Sequence, residues 1–108
     1  MTILLTDNSK MKYLNKKFRN KNKTTDVLSF PNLSTVDLKK KTDTKIYLGD
    51  IALNYEIINR RAKDSNFDLE FDKMWIHGYL HLLGYNHKKV RDYKVMKRTE
   101  DKILKILQ

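Results

Sequence analysis

Apolar residues recur along the chain with two different periods, and the switches between them mark the elements. Ile3-Leu4-Leu5 reads as a short strand, after which Asp7, Asn8 or Ser9 can cap a helix carrying Met11, Leu14 and Phe18 on its packed face at spacings of three and four. Lys12, Lys16 and Arg19 fall on a neighbouring stripe of that helix, because at about 100° per residue they lie within a narrow arc. Thr25 to Phe30 reads as a second strand, closed by Pro31. A polar loop follows from Asn32 to Thr44, with Lys39-Lys40-Lys41 at its solvated tip.

Ile46-Tyr47-Leu48 and Ile51-Ala52-Leu53 flank Gly49-Asp50, which predicts a strand with a bulge, at a glycine where backbone comes close to a neighbour. Tyr55 to Lys63 has helical spacing, Asn66 or Asp68 can cap the helix after it, and Gly84 suits the end of that helix. A last helix is predicted from Val90 to Leu107, with Tyr93, Met96, Ile103 and Leu107 as its core stripe. Internal repeats, low-complexity linkers and composition breaks are absent from the sequence, so a single α+β domain over residues 1–108 is expected.

Composition narrows the chemistry. With no cysteine among 108 residues, disulfides, thiolate metal ligands and a cysteine nucleophile are excluded together. Charged residues make up 33% against a typical ~25%. The mean hydropathy is −0.69, and no apolar run approaches the ~20 residues that cross a bilayer, so no membrane partner is expected. The opening Met1 to Leu5 lacks the basic start and the length of a secretory signal, which predicts a cytoplasmic protein.

The net charge of +10 is unevenly placed. Residues 1–25 hold seven bases and one acid, residues 26–87 eight bases and nine acids, and residues 88–108 eight bases and three acids. Two cationic flanks therefore bracket a near-neutral centre. A phosphate polyanion gains from such flanks by counterion release, which makes nucleic acid the natural partner, although solvated lysine faces are also common.

All three histidines fall in one stretch, His77-Gly-Tyr-Leu-His81-Leu-Leu-Gly-Tyr-Asn-His87. His77 and His81 are four apart on a predicted helix, so both imidazoles project from one face and can reach a single ion at about 2.0–2.1 Å. Gly84 can take a left-handed conformation that folds the chain back and delivers His87 as third ligand. The helix is apolar around most of its circumference and must be largely buried, where two unsatisfied imidazoles would be costly. Three neutral ligands leave a coordination position for water, which on such a cation ionises near neutral pH, while the cation polarises a phosphoryl or carbonyl oxygen. The spacing equals the H-E-x-x-H-x-x-G-x-x-H pattern of zincin-type metzincin proteases, but Gly78 stands where their general-base glutamate belongs, which disfavours peptidase chemistry. Phosphodiester hydrolysis needs charge stabilisation at phosphate, which an ion and an arginine can supply without that glutamate. Glu70, on the histidine stripe two turns before His77, and Asp50, after the strand glycine, are further acids that can orient a ligand or act as base.

At these residues the sequence resembles the YbeY family of metal-dependent endoribonucleases. The family pattern H-G-x-L-H-L-x-G-[YH]-D-H is met by His77 to His87 except at Asn86, T-D-V-L-S-F-P by Thr25 to Pro31, and L-G-D-I by Leu48 to Ile51. N-x-x-[YF]-R is met by Asn15 to Arg19 and M-x-x-x-E by Met96 to Glu100. The resemblance implies a small mixed sheet covered by helices with the metal helix against it, and one zinc ion per chain on His77, His81 and His87. It further implies Arg19 as the functional arginine beside the metal cleft, with Asp26 and Ser29 in the signature strand. The implied substrate is single-stranded ribosomal RNA precursor, notably of the small ribosomal subunit; from their shared stripe on the basic helix, Lys12 and Lys16 are expected to bind RNA beside Arg19. A planar guanidinium grips phosphate in a bidentate way that lysine cannot copy.

Two departures stand out. Asn86 replaces the usual acid before the last ligand, keeping only hydrogen bonding from that role. The sequence also begins at what resembles the family's second strand, without the strand and helix that normally precede it, so an exposed sheet edge is expected. Two rivals to the endoribonuclease reading are another zinc hydrolase, such as an amidase acting on non-RNA substrates, and a non-catalytic RNA- or ribosome-binding protein with structural zinc. Structural zinc is usually closed by four protein ligands, so the ligand count separates the last from the others.

Overall fold

The computed structural model describes residues 1–32 and 47–107; the predicted Lys39–Lys41 loop tip and Ile46 lie outside them. Among the described residues the strands are β1 (Thr2–Thr6), β2 (Val27–Pro31) and β3 (Gly49–Asn54), arranged in the order β1-β3-β2. β1 runs parallel to β3 with Ile3 opposite Ile51, and β2 runs antiparallel with Ser29 opposite Ile51, so the sheet is mixed. The helices are α1 (Asn8–Arg19), α2 (Tyr55–Arg61, followed by a 3-10 turn over Ala62–Asp64), α3 (Phe67–Leu82) and α4 (Val90–Leu107). Among the described residues no helix is long and apolar enough to cross a membrane.

Alternation along the strands separates two cores. Ile51 and Leu53 of β3 pack with Ile58, Met74 and Leu82 of α2 and α3, while Ala52, between them, packs with Met11 of α1 and Leu28 of β2. The sheet therefore carries α1 on one face and α2 and α3 on the other. A third cluster, Ile76, Leu80 and Met96, joins α3 to α4. Covered by the sheet on one side and by α4 on another, α3 can be apolar around most of its circumference, as its sequence demands.

Capping follows the sequence closely. The Asp7 carboxylate accepts from the Lys10 N–H at 2.8 Å to start α1, and Asn66, rather than Asp68, accepts from the Leu69 N–H at 2.8 Å to start α3. Asn54 is fully buried at the end of β3, where its side-chain oxygen accepts from Glu56 N and Ile57 N and its Nδ2 donates to Asn8 Oδ1 at 2.6 Å. Nδ2 also lies 3.2 Å from Thr25 O, so one side chain ties together the starts of α1 and α2 and the turn before β2.

Four expectations are corrected. The predicted bulge at Gly49-Asp50 is absent, because β3 keeps continuous register from Asp50 to Asn54 with β1 and from Gly49 to Leu53 with β2. The close approach is present: Gly49 has φ 135°, and a Cβ there would collide with Phe30 O. Tyr93 and Leu107 are 56% and 50% exposed, because α3 covers only the middle of α4, where Met96, Ile103 and Leu104 pack. Phe18 is also more than half exposed, touching Phe30 edge-on at 5.1 Å between ring centroids. At the sheet edge, Ile3, Leu4 and Leu5 of β1 are exposed.

Candidate metal centre and its cleft

The centre is built by the end of α3. His77 and His81 sit one turn apart with ring centroids 4.6 Å apart and Nε2 atoms at 3.0 Å. Beyond the cap residue Leu83, Gly84 takes φ 100°; its N–H donates to His81 O at 3.1 Å and the Tyr85 N–H donates to Leu80 O at 3.0 Å. These are the paired bonds of a Schellman motif, in which a left-handed glycine reverses the chain. The reversal brings the His87 ring to 5.6 Å from His77 and 5.1 Å from His81, centroid to centroid. One ligand nitrogen from each histidine lies within 4.8 Å of the others, and among the described residues no fourth histidine or carboxylate joins them.

The outer nitrogens of the first two rings are already bonded. His81 Nδ1 lies 2.9 Å from Tyr85 O, and a carbonyl can only accept, so Nδ1 carries the proton and Nε2 is the free lone pair. His77 Nδ1 lies 2.6 Å from Glu100 Oε1, which by the same reasoning leaves its Nε2 inward. Two lone pairs thus face each other at 3.0 Å. A shared proton can bridge two rings but does nothing for His87; a cation could engage all three, and the donor set suits a divalent ion with nitrogen ligands. Burial, then proximity to His77, holds the His81 pKa below the ordinary histidine value, which favours the neutral ring that metal binding requires.

The histidines open onto a cleft of about 610 Å³ along β2, the outermost strand on that side among the described residues. Arg19 reaches this cleft from α1, on the far face of the sheet, with Nη2 donating to Ser29 O of β2 at 3.0 Å. On the same residue, Ser29 Oγ donates to Gly78 O of α3 at 2.9 Å. Lys21 and Lys23, from the first basic flank, and Lys88, from the second, line the same cleft, so two charge blocks distant in sequence converge there. Asn15 holds that wall: it is 3% exposed and its Nδ2 donates to Lys23 O at 2.9 Å.

The structure gathers His77, His81, His87, Arg19 and Asn86 at one cleft. Asn86 accepts from the Lys88 N–H at 3.3 Å. Asp26 lines the cleft while pairing with Arg61 at 3.1 Å. Lys12 and Lys16 are not brought there; they line a separate groove on the outer face of α1 beside Tyr13. Asp50 is not brought there either, because on β3 it shares the parity of Ala52, which faces α1, and it accepts from the Tyr47 hydroxyl. Glu70 is bonded to Ser65 Oγ at 3.0 Å and lies 3.5 Å from Lys73 Nζ, about 10 Å of helix rise before His77. Glu100 was not singled out by spacing within α3, since it arrives from another helix; the available signal was a carboxylate within the apolar stripe of α4, four residues after Met96.

The sequence profile described as Endoribonuclease YbeY matches residues 1–108. A protein named Endoribonuclease YbeY from Pelagibacter ubique (strain HTCC1062) is 47% identical over 110 residues, covering 100% of this chain and 69% of the relative. Its namesake from Nitrobacter hamburgensis is 40% identical over 106 residues, covering 96% of this chain and 56% of the relative. A Thermotoga maritima protein solved in solution superposes with a TM-score of 0.61 at 30% identity, covering 94% of this chain and 63% of that one. The chain thus spans between about half and two thirds of the length of these proteins. Since the matched stretch contains the histidine turn, the arginine helix and the strand between them, the chain belongs to the YbeY endoribonuclease family.

Proposed function

We propose that this protein is a zinc-dependent, single-strand-specific endoribonuclease that acts in ribosomal RNA maturation, on the precursor of the small-subunit RNA, in the cytoplasm. The observation that carries the reading is the convergence of three histidine nitrogens within 4.8 Å of one another in a cleft also lined by Arg19 and by lysines from both charged flanks. His77, His81 and His87 would hold the ion, which when bound supplies Lewis acidity at a phosphoryl oxygen and a water that ionises near neutral pH.

The chain's own groups supply the rest. Arg19, anchored by Ser29 O, keeps further guanidinium N–H groups for the non-bridging oxygens of a phosphate and stabilises charge that grows there as the bond to water forms. Lys21, Lys23 and Lys88 hold neighbouring phosphates of an extended strand. Asn86 can orient a neighbour through its amide but cannot take up a proton. His77, His81 and His87 would fill three positions of a four-coordinate ion, one fewer than structural zinc usually takes, which favours the catalytic reading.

Incubating the protein with an unstructured RNA oligonucleotide beside a panel of peptides, with and without chelator, tests this reading. Chelator-sensitive RNA cleavage that disappears in His81→Ala is the expected result. Peptide hydrolysis without RNA cleavage would replace it with the amidase alternative, and RNA binding with neither activity would point to a binding module.

A further inference from the structure

We infer that Glu100 is a positioning residue of the metal centre: its carboxylate fixes which nitrogen of His77 faces the ion and couples the docking of α4 to metal affinity. This rests on the metal reading above and adds to it a residue outside the ligand set. Glu100 Oε1 lies 2.6 Å from His77 Nδ1, and the two side chains are 19% and 32% exposed, so the contact is sheltered from solvent competition. A carboxylate accepting Nδ1–H selects the tautomer with a bare Nε2, holds the ring plane and increases the electron density available to a cation.

The acceptor comes from neither α3 nor the histidine turn. His81 uses the Tyr85 carbonyl of its own turn, a contact that the Schellman motif provides locally. His77 has its partner 23 residues away, on a helix held by Met96 one turn before Glu100 and by Ile103 and Leu104 one turn after it. Those apolar anchors pack against Ile76 and Leu80, the residues that precede His77 and His81. Packing of α4 and orientation of His77 are therefore one event, and a cation that favours the oriented ring must by linkage also favour docked α4.

The test measures zinc affinity by competition with a chromophoric chelator in the full chain, for wild type, Glu100→Gln, Glu100→Ala and the neighbouring exposed-site control Asp101→Asn. Removing a carboxylate behind a ligating histidine should weaken affinity by about 10- to 100-fold in Glu100→Ala. Glu100→Gln, whose amide oxygen still accepts Nδ1–H, should fall between that and wild type, and Asp101→Asn should match wild type. In the metal-free chain at mildly alkaline pH, long-range proton–nitrogen correlation spectra should show Nδ1–H on His77 in wild type and a mixture of tautomers in Glu100→Ala. A generic packing role would not produce that signature. Equal zinc affinity in wild type and both Glu100 variants overturns the inference while leaving the metal centre standing. Wild type that takes up no stoichiometric zinc overturns the metal reading and this inference with it.

Discussion

Ser29 Oγ donates to the carbonyl of Gly78 at 2.9 Å, which fastens β2 to the last turns of α3, between His77 and His81. The bond is possible because α3 lies unusually close to the sheet. A Cβ at residue 78 would stand 2.8 Å from Ile51 Cγ2, 3.1 Å from Val27 Cγ2 and 3.2 Å from Ser29 Oγ. Ile51 is fully buried and stiff at χ1, so it cannot simply turn away. Position 78 thus faces the sheet, where any side chain larger than glycine's would have to displace Ile51, Val27 or Ser29.

Gly78→Ala is accordingly expected to destabilise the protein. Overpacking costs about 1–3 kcal/mol, and alanine's helix advantage returns roughly 1 kcal/mol of that. The urea midpoint should fall with an unchanged slope. A midpoint at or above that of wild type would mean that α3 has slack over the sheet.

Replacing Arg19 separates its charge from its shape. Its head is held at Ser29 O, so a lysine there keeps a positive charge but loses the planar fork. Hydrogen bonds to charged groups are worth about 1.5–3 kcal/mol, which translates to roughly 10- to 100-fold in cleavage efficiency for Arg19→Ala. Arg19→Lys should recover less than half of that loss on a logarithmic scale. Full recovery by lysine, in kcat/KM on a single-stranded oligonucleotide, would reduce the residue to a source of field.

How much of this was legible beforehand depended on range. His77 and His81 could be paired from the sequence because the helical repeat places them on one face, and His87 because Gly84 supplies the reversal that the structure realises through Gly84 N–H and Tyr85 N–H. Face, however, does not give distance. Glu70 shares the stripe of His77 but finds Ser65 and Lys73 first, and Lys12 and Lys16 share a helix with Arg19 yet open onto another groove. Periodicity likewise marks the packed face of α4 without saying how far α3 reaches along it, so Tyr93 and Leu107 read as core and are exposed. Glu100 stands on the apolar stripe of α4, which marks it as facing inward, but its pairing with His77 depends on how two helices pack.

The convergence of both basic flanks gives a salt-dependent prediction. Binding of single-stranded RNA should weaken linearly in log–log form as salt rises, with a slope of about 0.7 per phosphate neutralised. Lys21→Ala, Lys23→Ala and Lys88→Ala should each make the slope shallower by up to about that amount, because these side chains line the cleft. Lys12→Ala and Lys16→Ala, on the outer groove of α1, should change it less. Equal effects from the two sets would extend the RNA path over α1.

Acid should destabilise the metal-free protein through His81. Burial first, and the neighbouring His77 second, lower its pKa below the ordinary value of 6.5, so in the window beneath that value the unfolded chain takes up a proton that the folded site resists. The unfolded state then binds more protons than the folded one, and stability rises with pH across the window. The contribution is therefore complete above the unfolded value and is lost progressively as pH falls toward the depressed folded one. Melting temperatures of chelator-treated protein should drop from neutral to mildly acidic pH, and His81→Gln, which retains a polar side chain but does not titrate, should flatten part of that fall. A pH dependence identical in the two proteins would show that burial of His81 exerts no such pull on its proton.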